Sequence, residues 1–141
     1  MIPVLSEHSE QANFVAEVQY RYRNDETFVP ELLFAVPNGM WVAGEGTRRA
    51  ALIMKYRKEG MRPGVADLHY LQPRGNYPYC VIEMKRSDKK NVRNGGLTDD
   101  QMQYLGAAMK AGAFVQICYG ADEAIAAFHE YMELQEKGNN G

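Results

Sequence analysis

The chain has 141 residues, a length typical of one domain, so we treat residues 1–141 as a single domain. Hydrophobic residues make up 45% and charged residues 24%, which allows one buried core and disfavours collagen-like, coiled-coil and disordered chains. Sixteen basic and eighteen acidic side chains give a net charge of −2, which on the whole-chain total argues against a nucleic-acid partner.

Membrane insertion and export are also disfavoured. The longest uncharged apolar stretches, such as Phe114 to Tyr119, are far shorter than the roughly 20 residues of a spanning helix. The first ten residues lack the basic start and apolar middle of a signal peptide. Cys80 and Cys118 lie in apolar runs without a CxxC motif, which predicts buried free thiols and a cytoplasmic protein.

Hydrophobic periodicity and turn residues predict eight elements along the chain. A helix starts at Ser6, its N-cap, and ends near Asn24. The other predicted elements, in chain order, are a strand over 32–36, a helix from 44–47 to about 59, strands over 66–71 and 79–85 that form a hairpin, a helix from Thr98 to Gly112, a strand over 114–119 and a helix from 122 to about 136. This order predicts an α/β fold with helices around a mixed sheet of about four strands.

The charges are unevenly distributed along the chain. Residues 48–93 contain twelve basic and four acidic residues, so this basic block carries +8, while the remaining 95 residues carry −10. Phosphate binding depends on local potential, so such a block is compatible with DNA despite the acidic total. A solvated surface is the alternative interpretation.

Three charged residues are predicted to meet at one edge of the sheet. Glu83 and Lys85 are two residues apart in a strand and therefore share a face, and Asp67 lies near them if the hairpin forms. Two close carboxylates either retain a proton or bind a divalent cation. A lysine beside such a cation assists phosphodiester hydrolysis. A Glu-x-Lys pair on its own is also compatible with a surface ion pair.

Five short motifs follow one another along the chain: Ser6 to Gln11, Phe34 to Gly39, Arg62 to Asp67, Ile82 to Arg86 and Leu97 to Gln101. Taken in this order, they resemble the VRR-NUC branch of the PD-(D/E)XK nucleases. The resemblance covers nearly the whole chain and implies a restriction-endonuclease-like core with a central mixed sheet. One departure is Ala66, which stands where the family usually has proline before the aspartate.

The resemblance implies catalytic roles for Glu7, Asp67, Glu83, Lys85 and Gln101. Asp67, Glu83 and the backbone carbonyl of Met84 would bind Mg²⁺ or Mn²⁺, with Glu7 reaching the metal directly or through water. Glu10, one helical turn further on, is an alternative to Glu7. For Gln101, a first-turn helix residue facing water is the competing interpretation.

DNA contacts are expected on the loop after the second hairpin strand, from Arg86, Lys89, Lys90 and Arg93, and from Asn38. Arg48, Arg49, Arg57 and Lys58 form either a second contact stripe or an ordinary helix surface. The expected activity is a metal-dependent endonuclease selective for branched DNA such as four-way junctions, acting as a homodimer. The alternatives are a monomeric nuclease of duplex, flap or single-stranded DNA and a non-catalytic DNA-binding module.

Overall fold

A computed structural model describes residues 3–37 and 44–135 of the chain. Within these ranges, four α-helices surround a four-stranded mixed sheet. The elements are α1 (Glu7–Arg21), β1 (Leu33–Ala35), α2 (Gly46–Lys58), β2 (Leu68–Tyr70), β3 (Cys80–Lys85), α3 (Asp99–Lys110), β4 (Phe114–Tyr119) and α4 (Ala121–Met132). The predicted α/β class and element order are confirmed.

The sheet has the strand order β1-β2-β3-β4. β2 pairs antiparallel with both β1 and β3, whereas β3 and β4 are parallel and are connected through α3. The predicted hairpin is therefore present, with Leu68 opposite Ile82 and Tyr70 opposite Cys80. β3 is the central strand of the site described below, because it pairs along its whole length with β4 and is buried from end to end.

Two hydrophobic clusters cover the two faces of the sheet. The larger one joins the sheet to α1 and α4, and its members include Phe14, Val18, Ile82, Phe128 and Tyr131. The smaller one joins the other face to α3 through Ala66, Val81, Leu105, Ala108 and Ala113. Side chains alternate along a strand, so Glu83 and Lys85 lie on the face of Val81, toward α3.

β2 is three residues long rather than the six predicted. Its ladder to β3 stops at Leu68 because the backbone N–H of Met84 donates to Asp67 Oδ2, at 2.9 Å, instead of to a strand carbonyl. The Asp67 side chain thus replaces the next backbone hydrogen bond between β2 and β3. This exchange brings the Asp67 carboxylate to the end of β3.

α2 forms close to its predicted position, but none of its side chains is buried. Met54, one of its large apolar side chains, is 61% exposed. Tyr56 is also exposed. α2 therefore lies on the surface of the described structure.

The basic block is not entirely a surface feature. Arg74 is 3% exposed and donates to Gln72 Oε1, to the carbonyls of Met132 and Leu134, and to Thr27. Its guanidinium ties the β2–β3 connection to the end of α4. Two of the twelve cations of this block, Arg74 and Lys85, are therefore buried and are not part of the exposed basic surface.

Cys80 and Cys118 are buried and not disulfide-bonded, as predicted. No helix in the described ranges is long and apolar enough to cross a membrane.

Candidate active site at the end of strand β3

Strand β3 carries two charged side chains into the interior. Glu83 is 1% exposed and Lys85 is 7% exposed, although both residue types are rarely buried without partners. The Lys85 ammonium lies 4.0 Å from Glu83 Oε1. A surface ion pair is therefore excluded for this Glu-x-Lys motif, and the partners of both groups must come from other elements.

Asp67 lies at the start of β2 beside the end of β3. Its side chain is held by the Met84 N–H, and its backbone carbonyl accepts from Val36 N at 2.9 Å, which ties it to the segment after β1. Because the N–H and C=O of one strand residue point to the same side, the Met84 carbonyl is directed toward the Asp67 side of β3.

The Asp67 and Glu83 carboxyls perturb one another. Burial, and after it the Asp67 charge, raises the pKa of Glu83 to about 9, with Lys85 opposing. The pKa of Asp67 is also raised, chiefly by burial, while the Met84 N–H lowers it. Without a counter-ion, one proton is retained by the pair, which is how two close buried carboxyls avoid a double negative charge.

Gln101 connects α3 to both charged residues of β3. Its Nε2 donates to Glu83 Oε1 at 3.0 Å, and its Oε1 accepts from Lys85 Nζ at 3.0 Å. The same Oε1 accepts from the backbone N–H of Thr98, whose hydroxyl in turn accepts from Gln101 N, completing a capping box at the start of α3. Gln101 therefore faces the β3 carboxylate and not water.

Glu7 and Glu10 lie on the same helix but have different contacts. Glu7 Oε1 is 3.9 Å from Lys85 Nζ, and its charge raises the pKa of Asp67. Glu10 accepts a hydrogen bond from the backbone N–H of Ala121, the first residue of α4. The N-cap of α4 is Gly120, which has no side chain to satisfy that N–H, so Glu10 caps α4 from another helix.

Gly64 lies against the first turn of α3. Its φ is +81°, and a Cβ at this position would be 2.3 Å from the carbonyl carbon of Asp100 and 2.7 Å from Gln101 N. Only glycine allows so close an approach of two backbones in this conformation. The contact holds the segment before Asp67 against the first turn of α3, which contains Gln101.

The donor set at the end of β3 fits a hard divalent cation. Glu83 Oε2 is buried and has no hydrogen-bond partner, and it is the only such side-chain atom in the described ranges. Within those ranges, no three His, Cys, Asp or Glu side chains are close enough together to hold a metal ion. The ligands available at this position are therefore two carboxylates and the Met84 carbonyl.

The residues predicted to contact DNA from the loop after β3 are found on two short 3₁₀ turns, Ser87–Lys89 and Arg93–Gly96, and on the residues beside them. Arg86 pairs with Asp88 through two hydrogen bonds of 3.0 and 2.7 Å, and Lys90 pairs with Glu123 at 3.0 Å. Lys89 and Arg93 form no ion pair with another described residue. Asn38 lies outside the described residues.

Two residues that shape the site, Gly64 and Thr98, carry no functional role in the sequence interpretation, although both lie in the five motifs. The Arg62-Pro63-Gly64 sequence predicts an interruption of regular secondary structure, but it does not predict a close backbone contact. Thr98 is predicted only as the start of a helix. The spacing of three residues between Thr98 and Gln101 is a usable signal, because a glutamine at that spacing indicates a capping box.

Comparison with known proteins decides the family. The family model of the VRR-NUC domain matches residues 6–122. The chain belongs to the VRR-NUC family. A solved structure described as a VRR_NUC domain protein has 20% sequence identity and a TM-score of 0.72, with 96% of this chain and 94% of that chain covered. No curated protein matches the chain.

Membership makes this VRR-NUC chain a nuclease domain, for which DNA is the expected substrate. At 20% identity the solved VRR-NUC structure supports the fold. The matched range includes the five site residues from Glu7 to Gln101 and all the loop cations named above.

Proposed function

We propose that this VRR-NUC domain is a Mg²⁺- or Mn²⁺-dependent endonuclease that hydrolyses DNA phosphodiester bonds. One observation carries the proposal: Glu83 has a buried carboxylate oxygen without a partner, beside Asp67, at the end of a strand that also holds Lys85. A buried polar atom without a hydrogen-bond partner is costly, so this arrangement is typical of a group that acquires its partner on binding.

Asp67, Glu83 and the Met84 carbonyl would hold the cation, which when bound polarises a phosphoryl oxygen and lowers the pKa of water. Lys85 lies beside the carboxylates and is placed to donate to a phosphate oxygen or to orient the attacking water. Gln101 holds the Lys85 ammonium and the Glu83 carboxylate at 3.0 Å each, which fixes their relative position. The Glu7 side chain is 49% exposed, lies 3.9 Å from the Lys85 ammonium and offsets part of its positive charge.

The substrate form that we propose is branched DNA such as a four-way junction, cut by a homodimer in the cytoplasm. A two-fold dimer places two sites on opposing strands of a symmetric branch. Free buried cysteines fit a reducing compartment. Structure rather than base sequence would be recognised, because the cations on and after β3 suit phosphates.

The test is a cleavage panel of labelled four-way junction, flap, duplex and single-stranded DNA with Mg²⁺ or Mn²⁺. Lys85→Ala should lower the cleavage rate about 10²- to 10⁴-fold. Asp67→Asn should abolish the response to metal, while Lys110→Ala, an exposed position at the far end of α3, is the matched control and should cleave normally.

Unchanged cleavage by Lys85→Ala would overturn this mechanism. Cleavage of linear DNA alone would favour the monomeric nuclease, and DNA binding without cleavage by the wild type would favour a binding module. Light scattering at micromolar concentration decides the assembly: a mass of 16.0 kDa would overturn the dimer.

A further inference from the structure

A groove runs along the surface between α2 and the first turns of α3 and ends at the candidate active site. Its part nearest the site has a volume of about 320 Å³ and is lined by Gln101, Thr98 and Gly64 on one side and by α2 on the other. A second part of about 290 Å³ continues along α3 past Tyr104. Both parts are lined by Arg62, Pro63 and Asp100, so they are adjacent.

Arginines dominate the charge in this groove. Arg49 and Arg57 lie two helical turns apart on one stripe of α2, and Ile53 lies between them. Arg62 enters from the segment after α2. Asp100 is the only acidic residue that lines either part among the described residues.

Arg57 and Arg62 are available to a ligand. Both are exposed, and neither forms an ion pair with another described residue. In contrast, Arg86 and Lys90, which follow β3 in the chain, are already paired with Asp88 and Glu123. The groove therefore offers guanidinium groups whose hydrogen-bond donors are not committed to a carboxylate.

The helix dipole accounts for only part of the positive charge of α2. The helix has five basic residues, no acidic residue and no buried side chain. Cations near the C-terminus of a helix interact favourably with its dipole, which accounts for Lys55, Arg57 and Lys58. Arg48 lies near the start of the helix, where positive charge is unfavourable.

We propose that this groove binds the sugar–phosphate backbone of the DNA strand flanking the scissile phosphate, with Arg57 and Arg62 contacting successive phosphates. The inference rests on the proposed nuclease function. Guanidinium groups bind phosphate bidentately, and Gln101 at the end of the groove touches both Glu83 and Lys85. A strand lying in the groove would therefore pass Gln101, the side chain that contacts Glu83 and Lys85.

The experiment measures DNA binding by fluorescence anisotropy at several salt concentrations, in the Lys85→Ala background so that the DNA stays intact. The test variant is Arg57→Ala with Arg62→Ala. The matched control is Lys55→Ala with Lys110→Ala, which removes the same charge from exposed positions outside the groove. Circular dichroism and thermal melting verify the fold of both, and Arg57→Lys with Arg62→Lys tests whether charge alone restores binding.

The groove variant should weaken duplex binding on the order of tenfold and lower the slope of log Kd against log salt by about 0.9 for each lost phosphate contact. The control should change the slope by less than half as much, and the lysine variant should recover the slope but only part of the affinity, because lysine keeps the charge and loses the bidentate geometry. In a background that retains Lys85, the groove variant should raise KM and leave kcat nearly unchanged.

If the groove variant keeps the slope and Kd of its parent, or if the control loses as much, the groove is not the strand path although the nuclease function stands. If the wild type cleaves no DNA and the Lys85→Ala parent binds no DNA, both the groove proposal and the nuclease function are overturned.

Discussion

Lys85 and Gln101 are joined by a hydrogen bond of 3.0 Å from the lysine Nζ to the amide Oε1, across the interface between β3 and α3. The same amide donates to Glu83, so one side chain fixes the spacing of the ammonium and the carboxylate. Since Gln101 is also part of a capping box, the start of α3 and the end of β3 form one unit.

Replacement of Gln101 by alanine should therefore lower both stability and activity. Loss of the capping box should cost about 1 kcal/mol in the free energy of unfolding. Loss of the amide that holds Lys85 and Glu83 should reduce kcat about 10- to 100-fold. Chemical denaturation and single-turnover cleavage measure the two effects.

Thr98→Ala is the matched control for Gln101→Ala. It removes the hydroxyl that caps α3 but leaves the amide, so it should lose similar stability and keep most of the cleavage rate. An equal loss of kcat in both variants would contradict a positioning role for Gln101 separate from the cap.

Glu7 and Glu10 should respond oppositely to substitution. Glu7→Ala should lower activity about tenfold without loss of stability, because the side chain is 49% exposed and faces Lys85. Glu10→Ala should cost about 1 kcal/mol of stability, because it leaves the Ala121 N–H without its acceptor. Thermal melting and cleavage rates of the two variants separate the roles, and the reverse pattern would make Glu10 the active-site glutamate.

Gly64→Ala should disrupt the approach of the Asp67 segment to α3. A methyl group would overlap the backbone of Asp100 and Gln101, so we expect a loss of about 2 kcal/mol or more and a lower kcat. Gly60→Ala is the matched control, since Gly60 also has a positive φ, +108°, but its Cβ would have no atom within 4 Å.

For Gly60→Ala only the conformational cost of about 1 kcal/mol should remain, with normal cleavage. Equal stability and equal activity of the two variants would show that the Gly64 contact does not position the site.

Divalent metal should stabilise the protein more as the pH rises. An unfolded glutamate titrates near 4.5, whereas the pKa of Glu83 is raised to about 9 in the fold by burial and by Asp67. Its contribution to stability is therefore fully present below about pH 4.5 and is lost as the pH rises through about 9. The pKa of Asp67 is shifted in the same direction.

Without metal, the melting temperature should thus fall as the pH rises from about 4.5 to about 9. The increase in melting temperature on addition of Mg²⁺ or Mn²⁺ should be larger at about pH 8 than at about pH 6. Glu83→Gln removes the titrating group and should flatten both dependences. A metal-induced increase that is independent of pH in the wild type would contradict metal binding by Glu83.

Several features of this VRR-NUC domain are determined by the sequence itself. The period of two in β3 places Glu83 and Lys85 on one face, the turn residues before Tyr79 produce the hairpin, and Thr98 caps α3. These features depend on side-chain alternation and on hydrogen bonds between residues close in the chain, which act in any context. The order of the motifs further identifies the family.

Tertiary structure decided what those residues do. By sequence, Gln101 could face water or β3, and Glu7 and Glu10 are equivalent candidates on one helix; in the fold, Gln101 contacts Glu83 and Glu10 binds Ala121. The sequence also groups Arg74 with the surface cations, whereas the fold gives it five buried or half-buried acceptors. Each outcome depends on contacts between elements that are far apart in the sequence, such as the packing of the Gly64 segment against α3 or of α1 against α4. The reason is physical: burial and backbone contact select one partner among several that local chemistry allows equally.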